Sequence, residues 1–120
     1  MMTSMKRLGG QLLENKVERL IGLCMKSGNI TFGMDATINQ IRLHKSKLVI
    51  VAKDSSMNTK NKIKNMCEFE NIPIIEFGTI EKNSKAIGKV NKAIISIDNS
   101  NFANAIQNII TSGGENFGEN

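Results

Sequence analysis

The run Leu48-Val49-Ile50-Val51-Ala52 constrains this chain more than any other segment. It is too short for a buried helix, and its β-branched side chains favour extended backbone, so it reads as a strand. A strand without polar alternation has no face to give to water and must be covered on both sides. The covering layers are visible in the helical spacing of other apolar residues. Leu13, Val17, Leu20, Ile21 and Cys24 line one face of a first helix that ends near Gly28. Met34, Ile38 and Ile41 make the stripe of a second helix, and Ile63, Met66 and Cys67 that of a third, capped by Asn58 or Thr59 and broken at Asn71-Ile72-Pro73.

Shorter strands are expected at Ile30–Phe32, Ile74–Phe77 and Ala93–Ile97. Thr79 opens a fourth helix that Gly88 ends, and Asn99 or Ser100 opens a last one carrying Phe102, Ile106, Ile109 and Ile110 inward. Strands alternating with helices imply an α/β fold in three layers, a sheet with helices on both faces. At 120 residues the chain has room for one core. We expect residues 1–12 to form a flexible N-terminal segment, 13–111 a single α/β/α domain, and 112–120 a disordered tail.

Sixteen Lys and Arg against eleven Asp and Glu favour an anionic partner. The excess is localised. From Lys26 to Lys92 there are twelve bases and six acids, whereas from Ala93 onward there are three acids and no base. Catalysis needs a nucleophile with its base, paired carboxylates or a metal, and no such arrangement is present. Cys24 and Cys67 lack CxxC partners and His44 is the only histidine, so no metal or cofactor is expected and the thiols read as reduced core residues. Asp35 and Asp54 adjoin helix starts, where a carboxylate stabilises unpaired N–H groups. No apolar run is long enough for a signal peptide or membrane span, which makes the cytoplasm the expected location and a membrane an unexpected partner.

Lys26-Ser27-Gly28 through Arg42 reads as helix end, short strand and new helix start, placing a helix N-terminus at Gly33. Such an end receives phosphate well, because its first N–H groups lack intrahelical partners. Loops at strand ends also carry Lys53, Ser55, Ser56, Lys85, Lys89 and Lys92, which form one groove if those loops share an edge. Lysines there would contact phosphate, while Asp35, Asn39 and Ser56 would hydrogen-bond exposed base edges or 2′-hydroxyls. Tyr and Trp are absent, and Phe32, Phe77 and Phe102 fall at expected core positions, so stacking along a flexible strand is not expected. Structured RNA fits this inventory better than DNA grooves do.

These residues also carry a family resemblance. Lys26-Ser27-Gly28, the helix-opening Gly33, the stretch Lys45 to Asp54, Ile72-Pro73 and Lys85-Ala86-Ile87-Gly88 occur in an order and spacing similar to the ribosomal and kink-turn RNA-binding family known as L-seven-Ae and L-thirty-e, most closely its bacterial YlxQ-like branch. The resemblance spans about Val17 to Ile110. It implies a three-layer α/β/α sandwich with a mixed four-stranded sheet and a non-enzymatic ribosomal-type protein that binds structured RNA, whether kink-turn-like, ribosomal or otherwise noncoding.

In RNA-binding members the helix opens with Gly-x-Asn-Glu-x-x-Lys, which reads tandem sheared G·A pairs. Here the matching residues are Gly33, Asp35, Ala36 and Asn39, and the glycine alone is retained. An acidic contact after the second strand falls at Ser56, an aliphatic one at Lys60, and the usual Leu-Gly before Lys85 is Asn83-Ser84. The following loop, aliphatic in relatives, is the basic Lys89-Val90-Asn91-Lys92. The expected RNA-facing set is therefore Gly33, Met34, Asp35, Asn39, Lys53, Asp54, Ser56, Lys60, Lys85, Lys89 and Lys92, on a monomer that works alone or within a ribonucleoprotein such as the ribosome. Loss of the readers at Ala36 and Asn39 sets an alternative beside it, a protein-interaction module that binds an acidic partner through the same lysines.

Overall fold

The computed structural model describes the backbone of residues 2–118 and the side chains of residues 10–112. Nine elements follow one another: α1 (Met2–Lys26), β1 (Ile30–Phe32), α2 (Met34–Arg42), β2 (Leu48–Val51), α3 (Met57–Glu70), β3 (Ile74–Glu76), α4 (Ile80–Ala86), β4 (Ile94–Ile97) and α5 (Ser100–Gly118). At the two chain ends, where a flexible segment 1–12 and a disordered tail 112–120 are expected, the described backbone belongs to α1 and α5, and most side chains lie outside the described residues.

The sheet order is β1-β4-β2-β3. β4 runs antiparallel to both β1 and β2, and β2 pairs parallel with β3, so the sheet is mixed. All four side chains of β2 are buried because successive residues serve opposite layers. Leu48 and Ile50 join Val17, Ile21, Cys24, Ile95, Ile97 and Ile106 in the core beneath α1 and α5. Val49 and Val51 join Ile38, Ile41, Ile63, Cys67 and Ile94 beneath α2 and α3. The result is a three-layer α/β/α sandwich.

Helix starts follow the expected chemistry with one shift. Ser56, not Asn58 or Thr59, caps α3 by accepting from the Thr59 N–H at 3.1 Å. Its extended backbone (φ −63°, ψ 154°) suits a cap, and it leaves Thr59 inside the first turn as the donor. Thr79 caps α4 and accepts from the Lys82 N–H at 3.1 Å, and Asn99 Oδ1 accepts from the Phe102 N–H at 3.0 Å.

Glu76 at the end of edge strand β3 takes Lys60 at 3.2 Å and Lys64, both from α3. Charges on a short edge discourage pairing with another chain. Hydrogen bonds from Lys64 and then Lys60 hold the Glu76 carboxyl below its ordinary range. A carboxyl lowered by folding adds stability above its unfolded pKa and loses it as pH falls through the folded value. Thermal melts should therefore show a steeper loss of stability below about pH 4.5 in the native protein than in Glu76→Gln. Superimposable acid limbs would mean that the carboxylate is not held by these lysines.

Candidate nucleic-acid interface

Strand register brings four loops to one end of the sheet. Val51 closes β2 beside Glu76 of β3 and beside Ile94, the first residue of β4, while Phe32 of β1 pairs with Ile95. The segments after β1, β2 and β3 and the segment before β4 therefore meet. Backbone bonds extend the ladder past the strands and tie these segments together: Gly33 N–H to Ile94 O at 2.9 Å, Ala52 N–H to Ala93 O at 3.0 Å, and Lys53 N–H to Gly78 O at 3.0 Å. Asp54 adds a side-chain tie. Its Oδ1 accepts from the Ile80 N–H at 2.9 Å, so it caps α4 across the loops rather than the helix that follows it in sequence.

At Gly33 the backbone has φ 90° and ψ 160°, and no side chain caps α2. That conformation belongs to glycine. It leaves the first-turn N–H groups of α2 beside exposed Asp35 and Asn39. Met34 is half-buried and packs on the core beneath α2 and α3. Asp35 and Asn39 line a groove of about 360 Å³ between α2 and α3, with Arg42 and Lys62 on its rim. Arg42 and Lys62 were not anticipated, since only the packing of α3 against α2 brings Lys62 to this groove.

The segment between α4 and β4 is held by bonds to one buried side chain and its backbone. Ser84 is buried; its Oγ accepts from the Lys92 N–H at 2.7 Å, and its carbonyl accepts from the Lys89 N–H at 2.8 Å. Gly88 and Asn91 turn the chain with φ of 69° and 60°. Buried Asn83 donates to the Phe77 carbonyl at 2.8 Å. Of the two residues that stand where the family has Leu-Gly, Ser84 thus anchors the basic loop and Asn83 the end of the β3 segment. Lys85, Lys89 and Val90 then border a groove of about 700 Å³ that also holds Asp54 and Ile80. Val90 is 81% exposed, so an aliphatic side chain stands open in a loop that reads as basic.

Lys89 and Lys92 each place Nζ 5.3 Å from the Phe32 ring centroid. Phe32 is only half-buried, which its expected place in the core did not foretell. Three expected members stand apart in their bonding, Asp54 through its tie to Ile80 and two others. Lys60 is 18% exposed and committed to Glu76, and Ser56 is committed to capping α3. Lys53 and Lys85 are exposed, and among the described residues neither meets an acid within 4.0 Å.

Chemistry other than ion pairing is thinly represented. Both cysteines are free and buried; burial pushes the Cys67 thiol up to about 11, and burial with the Asp98 charge pushes Cys24 up to about 12. Such thiols stay protonated and unreactive. Among the described residues no group of three or more His, Cys, Asp and Glu could hold a metal, and no helix is long and apolar enough to cross a membrane.

Known proteins share this architecture. The structure of a protein with unknown function from Bacillus halodurans C superposes with TM-score 0.78 at 24% identity, over 80% of this chain and 97% of that one. A Giardia lamblia 15.5kD RNA binding protein superposes with TM-score 0.72 at 20% identity, over 83% of this chain and 86% of that one. Among curated proteins, RNA-binding protein YlxQ of Enterococcus faecium is 37% identical over 95 residues, 79% of this chain and 91% of the relative. The protein of the same name from Bacillus subtilis (strain 168) is 26% identical over 91 residues, 76% of this chain and 91% of the relative. Residues 15–105 match the model of the ribosomal protein L7Ae/L30e/S12e/Gadd45 family, and with the fold and the relatives in agreement, this chain belongs to that family.

Proposed function

We propose that this protein binds structured RNA, ribosomal or otherwise noncoding, through the four loops gathered at one end of its sheet, and that binding rather than chemistry is its activity. The observation that carries this reading is the convergence there of Lys53, Lys85, Lys89 and Lys92 with the uncapped N-terminus of α2. Lysines and helix N–H groups are phosphate ligands, and they position an RNA without reading its sequence. Two relatives bear the name RNA-binding protein, which supports the same partner.

The chemistry at Asp35, Ala36 and Asn39 sets the kind of recognition. Asp35 accepts but does not donate, Ala36 has no polar atom, and Asn39 carries no charge. The residues beside the α2 N-terminus therefore lack the family's Asn-Glu-Lys readout, leaving the Asp35 carboxylate and the Asn39 amide as the polar side chains there. Affinity in this reading comes from backbone contacts, with a single extruded base lying against Val90 and Ile80 in the larger groove.

Fluorescence anisotropy with three labelled probes tests this: an RNA hairpin with a kink-turn, one with an unrelated bulge, and a duplex DNA of equal length. Both RNAs should bind, with less than about tenfold between them, since each lost bidentate reader removes about 1–3 kcal/mol of discrimination. With four phosphates neutralised, affinity should fall about fifty- to a hundred-and-fifty-fold between about 50 and 200 mM salt. Equal binding of the DNA, or no binding of either RNA, would overturn the reading. A stoichiometric acidic protein that co-purifies and is released by salt would favour the protein-interaction alternative.

A further inference from the structure

We propose that Phe32 is a positioning residue whose ring holds the Lys89 and Lys92 ammonium groups as a phosphate clamp at the loop end of the sheet. The inference rests on the RNA reading above and deepens it. Both ammonium groups lie 5.3 Å from one ring centroid, so they are no further from each other than twice that distance. Their backbones are fixed independently by Ser84, through the Lys89 N–H at 2.8 Å and the Lys92 N–H at 2.7 Å. The ring thus meets two side chains whose origins are already set.

Two features separate this arrangement from ordinary core packing. The first is the absence of counter-charge. Lys60 and Lys64 pair with Glu76 and Lys82 with Glu14, whereas among the described residues no acid lies within 4.0 Å of Lys89 or Lys92. Two like charges on one ring repel each other while the ring's negative face attracts both. An anion bridging the two ammonium groups offsets that repulsion. The second feature is residue type. Phe32 pairs with Ile95, and the buried hydrophobic residues packed around it are mostly aliphatic. A leucine would fill the same position against the core, but it has no π face. Phe32 packs on the core beneath α1 and α5 while α2 covers the other face, so the clamp and the α2 N-terminus flank the end of the sheet from opposite sides. Holding two long flexible side chains in place before binding lowers the ordering cost at the moment of binding.

The test is a mutant cycle on the bulged RNA hairpin at about 100 mM salt, with thermal melts run alongside. Phe32→Tyr keeps the ring and should bind within about twofold of the native protein. Phe32→Leu should bind about three- to tenfold more weakly. The pair Lys89→Gln with Lys92→Gln should lose more and reduce the salt slope by about 1.4 to 1.8. Adding Phe32→Leu to that pair should cost no further affinity, because the ring would then have nothing to position. An equal Phe32→Leu loss in both backgrounds would make the ring merely structural and overturn the clamp.

Proton NMR of the unmutated, RNA-free protein gives a second arm that needs no variant. The ε-methylene protons of Lys89 and Lys92 should resonate upfield of other lysines, and ordinary shifts for both would overturn the clamp. If the native protein binds neither RNA, the functional reading fails and the clamp with it. If it binds with the expected salt dependence while Phe32→Leu is unchanged, the clamp alone fails.

Discussion

Replacing Lys53, Lys85 and Lys89 together by glutamate should weaken binding to a structured RNA hairpin by about a hundred- to a thousandfold at low salt and flatten the salt dependence by about two or more in slope. Each lysine that neutralises a phosphate releases a condensed counterion, and each glutamate adds repulsion where a contact stood. Three such swaps, at two charges each, outweigh the formal net charge of +5. A long-range effect of total charge must therefore be separated from a local one. Lys26, Lys45 and Lys47 provide the control, since they precede β1 and β2 and so sit at the other end of the sheet. Reversing those three changes the net charge equally. At about 150 mM salt the Debye length is about 8 Å, so charges at the far end are largely screened from RNA held at the loops. The control should lose less than about fivefold, and isothermal or anisotropy titrations of both triple variants decide the matter. Equal losses would relocate the interface or reduce it to general electrostatic attraction.

Much of this arrangement is legible in the sequence, and what is not has a common physical cause. The five-residue apolar run gives β2 because complete burial erases the alternation that a half-exposed strand would show. Helical faces emerge from their spacing, and Thr79 and Asn99 announce caps because their partners lie three residues away. Sheet order is different. That β4 lies between β1 and β2 depends on pairings separated by more than forty residues, for which neither strand carries a local mark. The same limit explains the site. Gly33 is readable from its own backbone demands, but Asp54 caps a helix 26 residues downstream, and Lys60 of α3 is drawn to a carboxylate on edge strand β3. Phe32 looks like a core residue in any local window. Only the return of the chain through the loop before β4 sets two lysines on its ring.

Gly78→Ala should be among the most damaging single substitutions in the domain, with a loss of about 2–4 kcal/mol in denaturant or thermal unfolding. Two costs coincide there. Gly78 has φ 65°, a left-handed conformation that strains any residue with a Cβ. The added methyl would also overlap Oδ1 of Asn83 and stand 3.0 Å from its Cγ. Asn83 has little freedom to retreat, since it is 1% exposed and its Nδ2 donates to the Phe77 carbonyl at 2.8 Å. Gly88→Ala isolates the first cost. Its φ is 69°, but a methyl there meets nothing within 4 Å, so it should lose only about 1 kcal/mol. The contrast bears on function because Asn83 and Ser84 are adjacent in α4, and Ser84 fixes the backbone of Lys89 and Lys92. If Asn83 is pushed aside, the strain reaches the loop that carries the lysines. RNA affinity measured well below the melting temperature should then fall about three- to tenfold in Gly78→Ala, as preorganisation of those side chains is lost, and stay near native in Gly88→Ala. Equal destabilisation of the two variants would show that Asn83 yields freely and that backbone conformation alone decides both positions.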